Sequence, residues 1–342
     1  MPTFSAEQLQ AEAERIFVAL GASQDDASWV AQLLVRANLC GHDSHGIIRI
    51  PQYFQACRRD QIRPEARPGI EKEGHTTARI NGHRAFGQVT GRLVAEVAVA
   101  KASANGIGAV GAFDCNHVGR LADYVEWAAN RGMVAFAFAN DCGANQVVAP
   151  FGGLEGRLST NPLAIAVPAR PFPLCLDIAT SMVALGKVAV RRNQGHPLPI
   201  GWVQDADGNP STDPNSLDSS PPGTLLPMAG YKGYGLAVMV EILAGILTGA
   251  GFSQEELGPD LQGFFLLAFQ MSDFAEKEAF FSQVGYLGRY LKSSRRQNPF
   301  GEIMVPGEQE WRTAEERMRG GIRIDPATWG QVQKVKEELG LA

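Results

Sequence analysis

The chain has 342 residues, 45% of them hydrophobic and 20% charged, a size beyond that at which one hydrophobic core stops growing, so two interlocked or consecutive domains are expected. With 31 basic against 36 acidic residues scattered along the chain, the net charge of -5 excludes a phosphate-tracking stripe and with it a nucleic-acid partner. Five cysteines with no C-x-x-C pair argue against a zinc knuckle and a disulfide framework, and no basic-then-apolar leader or bilayer-length apolar run is visible, which points to a cytoplasmic protein with no membrane partner.

In chain order, apolar residues at helical spacing predict a helix over 6–20, and Ser23 caps a second that runs through Trp29, Leu33 and Leu34 to Leu39. From about residue 75 short apolar strands alternate with amphipathic helices. Strands are expected near 78–80, 108–113, 133–139, 163–167 and 174–178, and helices near 88–104, 120–131 and 182–190, which is α/β organisation. The stretch 194–227, rich in Pro, Gly, Asp and Ser, reads as a long functional loop or a cover over a site. An apolar helix over 232–247, a strand over 264–269 and a helix over 274–292 follow. Helix signals near 313–318 and 326–339 allow the carboxyl terminus to pack beside the amino-terminal helices.

Gly106-Ile107-Gly108-Ala109-Val110-Gly111 has the G-x-G-x-x-G spacing of a dinucleotide loop, but the order of elements is wrong. In a Rossmann unit the glycines follow a strand and open a helix, so that pyrophosphate rests on free helix-terminal amides. Here Asn105-Gly106 ends a helix and the rest enters a strand, as a left-handed helix cap followed by a buried β segment requires.

Two histidine motifs carry the candidate chemistry. In Gly41-His42-Asp43-Ser44-His45-Gly46, two of the six histidines bracket Asp43-Ser44 at the end of the second helix. His42, Asp43 and His45 can form a metal site, or His45 alone can face a pocket. No H-E-x-x-H spacing or cysteine pair supports the metal, and none is assigned. Arg49, four residues beyond His45, projects to the same side if the turn continues as helix, and its guanidinium can hold a substrate carboxylate in two parallel hydrogen bonds. In Asn116-His117-Val118-Gly119-Arg120, His117 falls at a strand-to-helix loop, where an imidazole with an ordinary pKa of ~6.5 can supply and recover a proton in carbonyl chemistry. Two small-residue turns at strand ends, 149–153 with Ser159-Thr160-Asn161-Pro162, and Asp177-Ile178-Ala179-Thr180-Ser181, permit close backbone approach to phosphate or ribose, with Asp177 available to ribose hydroxyls.

In order along 5–340, these segments resemble the malate/L-lactate dehydrogenase family of the non-Rossmann type. The likeness is carried by 37–46, Arg84-Ala85-Phe86-Gly87-Gln88, 116–120, Val148-Ala149-Pro150-Phe151, 159–162, 176–181, Tyr231-Lys232-Gly233-Tyr234 and Pro306-Gly307-Glu308, and it is greatest to the bacterial hydroxycarboxylate dehydrogenase B type. The resemblance implies a homodimer with an α/β, mixed-sheet, non-Rossmann NAD(P)-binding domain over 76–310 and a mainly helical domain built from 1–75 with 311–342. It implies NAD, with NADP as the alternative, and a small carboxylate substrate, a 2-oxo acid interconverted with its 2-hydroxy acid.

By the same resemblance His117 gives or takes the proton and His45 lies by the nicotinamide; Ser44 is grouped with them as a candidate catalytic residue, and Arg49, on its spacing from His45, is expected to hold the carboxylate. Cofactor contacts carry over to His45, Gly119, Arg120, Leu121, Cys175, Leu176, Asp177, Ile178, Ala179, Tyr231 and the turn Gly307, Glu308, Gln309 and Glu310, and Thr160 and Lys232 are expected to join them. One departure is that several relatives have a lysine after the strand that here ends Ala139-Asn140-Asp141-Cys142. Its absence shifts the chemistry onto the two histidines, and Asp141 can attract a cationic or imine substrate. Reduction of a cyclic imine acid is the nearest alternative. A histidine-based metal hydrolase and a non-catalytic binding protein are alternatives from other classes.

Overall fold

The computed structural model describes residues 1–143, 146–193, 195–254, 261–298 and 301–341. The chain opens with β1 (Thr3–Phe4), α1 (Ala6–Ala19), α2 (Gln24–Leu39), two 3-10 turns (Asp43–His45 and Ile47–Arg49) and α3 (Ile50–Arg58). Then come β2 (Gly69–Glu73), β3 (Thr77–Asn81), α4 (Gly87–Asn105), β4 (Ile107–Cys115), α5 (Ala122–Ala129), β5 (Met133–Asp141), β6 (Leu163–Val167), β7 (Leu174–Ile178) and α6 (Leu185–Asn193). The short strands β8 (Val203–Gln204), β9 (Pro210–Ser211) and β10 (Thr224–Leu225) precede α7 (Tyr231–Val240) and a π-helical turn, Glu241–Ile246. The remaining elements are β11 (Gln262–Gln270), α8 (Lys277–Lys292), α9 (Glu308–Gly320), β12 (Ile322–Arg323) and α10 (Pro326–Glu338).

Local chemistry accounts for the helix starts. Ser5 and Gln8 form a reciprocal capping box on α1, Ser23 caps α2, and Asp325 caps α10 with Pro326 just inside the first turn. The strands assemble a seven-stranded sheet in the order β2-β3-β4-β11-β5-β6-β7, antiparallel throughout except for β3 with β4. That parallel pair is joined by α4, so a single crossover replaces the repeated parallel units of a Rossmann sheet. Inward positions of the central strands are small, among them Ala112, Ala135, Ala137, Ala164 and Ala268, and this lets α4 and α5 lie close on one face. A second cluster joins Leu9, Phe17, Leu34 and Tyr53 to Ile322 and Val332, uniting both chain ends, while β1 pairs with β12.

The glycine motif is structural, as the order of elements implies. Gly106 is the left-handed cap of α4 at φ 82°, and a Cβ on Gly108 would come within 2.1 Å of the Ala98 carbonyl oxygen, so β4 packs against α4 only with bare backbone there.

Several expected boundaries need correction. The apolar helix expected over 232–247 turns π-helical at Glu241, the helix expected from 274 starts at Lys277, and those expected over 120–131 and 182–190 are Ala122–Ala129 and Leu185–Asn193. Gly307 to Glu310, expected as cofactor contacts, form the start of α9, because Gly307 at φ 85° supplies its N-cap. The loop expected over 194–227 folds into the small sheet β10-β8-β9, and Gln194 lies outside the described residues. The first sixty residues read as helical without separate bounds for α3, and the sequence pattern missed β2. Among the described residues no helix is long and apolar enough to cross a membrane, and all five cysteines are free thiols.

Candidate active site

A cavity of about 790 Å³ opens where the helical cluster meets the ends of β5 and β6 and the loop after β4. Ser44, His45, Arg49, His117, Gly119 and Thr160 line it, so six of the residues expected from sequence converge although they span three separate regions of the chain. After the C-cap of α2, the 3-10 turn Asp43–His45 turns the backbone through Gly46 into the turn containing Arg49 and then α3. The Asn38 side chain pins this corner, donating to Asp43 Oδ1 at 2.7 Å and accepting from the Ile47 N–H at 2.9 Å.

The His45 and His117 rings stack, with centroids 5.6 Å apart and planes 25° from parallel. Ser44 Oγ lies 3.1 Å from His45 Nδ1. His117 Nδ1 is 2.7 Å from the buried Tyr53 hydroxyl, which accepts from Gln88 Nε2 at 2.7 Å. With Gln88 donating into its oxygen, Tyr53 gives its own proton to Nδ1, and the His117 hydrogen then sits on Nε2. Arg49 donates through Nε to the Ser44 carbonyl oxygen and through Nη1 to Gln52 Oε1, both at 2.7 Å, which fixes its guanidinium beside the imidazoles.

Burial lowers the pKa of His45 to about 3, with Arg49, His42 and Arg120 pushing the same way. Burial likewise holds His117 well below its usual value, aided by Arg49 and His45. Both rings are therefore neutral at pH 7. Burial pushes the Tyr53 hydroxyl up to about 12, against the pull of Arg49 and Gln88, so it stays a donor.

The two histidines of the first motif diverge. His42 sits 3.3 Å from Glu310 on α9, while Asp43 binds Arg317 at 2.7 Å and His45 stacks on His117. Among the described residues no cluster of three His, Cys, Asp or Glu side chains is arranged to hold a metal ion.

The remaining expected residues form a neighbouring zone. Asp177 accepts the Ala122 N–H at 2.8 Å and so caps the start of α5, and burial raises its pKa against the pull of Arg120. Arg120 is 5% exposed with its guanidinium 3.5 Å from Asp123 and Glu126, so its side chain is committed to the interior, and Leu121 is also buried. Cys175 donates its N–H to the Pro306 carbonyl at 3.2 Å, and a Cβ on Gly307 would lie 3.2 Å from the Cys175 nitrogen, so strand β7 and the start of α9 touch through backbone. Leu176 and Ile178 belong to that strand, and Ala179 follows its end. Glu308 turns inward to Lys292 and Arg312, both at 2.6 Å, the Gln309 carbonyl accepts from Thr313, and Glu310 meets His42. Thr180 Oγ1 donates to the carbonyls of Thr160 and Asn161, tying the two small-residue turns together. Tyr231 and Lys232 stand apart on the exposed first turn of α7, with Tyr231 63% exposed and edge-on to Phe151.

Sequence reasoning missed Tyr53, Glu241 and Gln262, and it placed Gln88, Asn140 and Asn161 in motifs without giving their side chains a role. Tyr53 lies one helical turn beyond Arg49, a spacing that signals a shared face once α3 is recognised. Glu241 has no local signal. It is buried in the π-helical turn and accepts from Asn140 Nδ2 at 2.7 Å, Asn161 Nδ2 at 3.0 Å and Ser253 Oγ at 2.9 Å, bracing both strand ends that line the cavity.

A mixed-sheet α/β chain with paired neutral imidazoles and an arginine in one cavity defines a class of protein apart from the Rossmann enzymes. The family model described as malate/L-lactate dehydrogenase matches residues 4–333, and the chain belongs to that family. It is 34% identical to hydroxycarboxylate dehydrogenase B of Escherichia coli strain K12, over 99% of this chain and 94% of that protein. Malate dehydrogenase from Entamoeba histolytica superposes with a TM-score of 0.94 at 28% identity, covering 100% of this chain and 99% of the other. Delta1-piperideine-2-carboxylate reductase from Pseudomonas syringae pvar. tomato superposes with a TM-score of 0.87 at 29% identity, covering 98% and 100%.

Proposed function

We propose that this protein is an NAD(P)-dependent 2-hydroxycarboxylate dehydrogenase that interconverts a small 2-oxo acid and its 2-hydroxy acid. The observation that carries the reading is the stacked, neutral His45–His117 pair beside Arg49 in one cavity. The residues fit a nicotinamide cofactor. The cavity is larger than a small acid needs, Ala184, Leu185, Ala189 and Val190 give it an apolar wall suited to a flat ring, and Gly119 offers bare backbone at its edge. When bound, the cofactor supplies hydride chemistry at the substrate C2.

The chain's own residues do the rest. Arg49 binds the carboxylate, and His117 Nε2–H faces the C2 oxygen and delivers the proton in the reducing direction. Pairing Arg49 with a carboxylate also neutralises one cause of the depressed His117 pKa, so the ring gains proton affinity as substrate binds. The Gln88 Oε1 atom is buried without a partner. Turning that amide over lets Tyr53 donate to it and accept from His117 Nδ1, which leaves the Nε2 lone pair to act as base in the oxidising direction. His45, held by Ser44, positions the ring and carbonyl.

Cofactor contacts beyond His45 are assigned to Gly119–Leu121, Thr160, Cys175–Ala179 and Gly307–Glu310, with Tyr231 and Lys232 from the exposed start of α7. NAD is the preferred form and NADP the alternative. The separate clusters support a sheet unit over 76–310 and a helical unit from 1–75 with 311–342. The exposed apolar face of α7, with Leu236 and Met239, supports a homodimer, and five free thiols suit a reducing cytoplasm. Reduction of a cyclic imine acid is the second reading, favoured by the carboxylate of Asp141 in the cavity wall.

A spectrophotometric panel of 2-oxo acids and cyclic imine acids with NADH and NADPH tests the reading. At least one acid should be reduced, and His117→Ala should lower turnover by about 10²–10⁴-fold. Undiminished single-turnover hydride transfer in that variant would remove His117 from the mechanism.

A further inference from the structure

Asp141 ends β5 in the wall of the cavity that holds Arg49 and the histidine pair. Its carboxylate is held by neutral donors alone: Ser159 Oγ at 2.5 Å on one oxygen and Gln262 Nε2 at 2.9 Å on the other. Its backbone carbonyl accepts from Ser253 Oγ at 2.9 Å, so main chain and side chain are both fixed. Gln262 is oriented by a second bond, its Oε1 accepting the Val118 N–H at 3.0 Å, next to His117. The amide therefore keeps its donor end toward Asp141. Of the arginines lining the cavity, Arg317 pairs with Asp43, Arg49 bonds Ser44 and Gln52, and Arg323 lies on β12, and among the described residues no cation forms an ion pair with Asp141. A fixed negative charge thus shares one cavity with the cation assigned to the substrate carboxylate.

We infer that Asp141 is a specificity-determining residue that selects carboxylates bearing a positively charged nitrogen and rejects dianions such as oxaloacetate or malate. This rests on the proposed carboxylate-binding role of the cavity. The physical basis is that a second anionic group entering beside Asp141 loses hydration and meets a like charge, while a cationic nitrogen offsets a charge that no protein group neutralises. The nitrogen can belong to a cyclic iminium or to an open-chain ammonium group, and the two sources share this chemistry.

The test compares kcat/KM on the wild-type enzyme, with whichever nicotinamide supports turnover, for oxaloacetate, a cyclic imine acid, and a 2-oxo acid with a terminal trimethylammonium group that cannot cyclise. One or both cationic acids should exceed oxaloacetate by about tenfold or more, and Asp141→Asn should shrink that ratio by about tenfold. Because the ratio is taken within one preparation, partial misfolding of the variant divides out. Preference for the imine alone places the charge next to C2, and preference for the trimethylammonium acid places it at the far end. Equal or better use of oxaloacetate by the wild type, or an unchanged ratio in Asp141→Asn, overturns the inference. Isothermal titration with betaine and malonate separates this from failure of the dehydrogenase reading. If no acid is turned over, that reading fails, while tighter binding of betaine than malonate, lost in Asp141→Asn, still upholds the role of Asp141, and the reverse order refutes it.

Discussion

At the residue scale the cavity depends on keeping two imidazoles uncharged. A histidine whose pKa is depressed in the folded state binds fewer protons there than in the unfolded chain, so its contribution to stability is complete above the unfolded value of ~6.5 and is lost as pH falls toward the folded value. For His45 that window runs from ~6.5 down to about 3, and for His117 it starts at the same upper limit. Lowering the pH from 6.5 to 5 should therefore cost at most about 1.4 kcal/mol per pH unit for each ring. Denaturant titrations at several pH values should find a shallower fall in His45→Gln than in the wild type, and parallel slopes would contradict the neutral-pair account. The histidine motifs were legible because a local cluster of chemically distinctive residues stands out in one dimension. Tyr53 and Gln88 were not, since a tyrosine inside a helix looks the same whether its hydroxyl meets water or His117.

At the scale of elements, the loop carrying His117 is held in place by the helix that precedes its strand. Gly87 opens α4, and a Cβ there would come within 2.2 Å of the carbonyl oxygens of both Asn116 and His117. Gly87→Ala must therefore push backbone, and the expected cost is about 1–3 kcal/mol of stability. It should also displace His117 from Tyr53, so turnover should fall more than the folded fraction does. A Gly87→Ala enzyme that melts and turns over like the wild type would show that the loop yields freely. Asn116 reinforces the same junction by donating to the carbonyls of Arg84 and Ala85, both at 3.0 Å. The π-helical turn at Glu241 makes a parallel point. Apolar periodicity predicts a continuous helix there, and only the packing of Glu241 against Asn140 and Asn161 reveals that the π-helical turn delivers a carboxylate to two residues that line the cavity.

For the whole molecule, the distribution of apolar surface bears on assembly. Leu236, Met239, Ile246, Leu247 and Phe252 are 40–60% exposed along α7 and the segment after it, and large apolar side chains grouped at a surface mark a site of association. Light scattering after size exclusion should give twice the chain mass, and a Met239→Asp, Ile246→Asp double variant should move toward the monomer. A monomeric wild type at micromolar concentration would refute the homodimer proposal. Tyr231 and Lys232 lie on this same helix, outside the cavity of their own chain, so a defect in cofactor binding accompanying dissociation would tie their assigned contacts to assembly.

By itself the sequence determined the class of fold, the structural nature of the Gly106 motif and the identity of the histidine, arginine and small-residue segments, because cap chemistry, strand length and element order are local properties. Only the tertiary structure decided that Asp43–His45, Arg49, His117 and Thr160 share one cavity, that His42 turns away to α9, and that Asp141 faces the site without a cationic partner. Those facts follow from a sheet whose β11 inserts between β4 and β5 and from chain ends that pair through β1 and β12. Such long-range pairings are chosen by the burial of the whole apolar surface, which no local window of residues encodes.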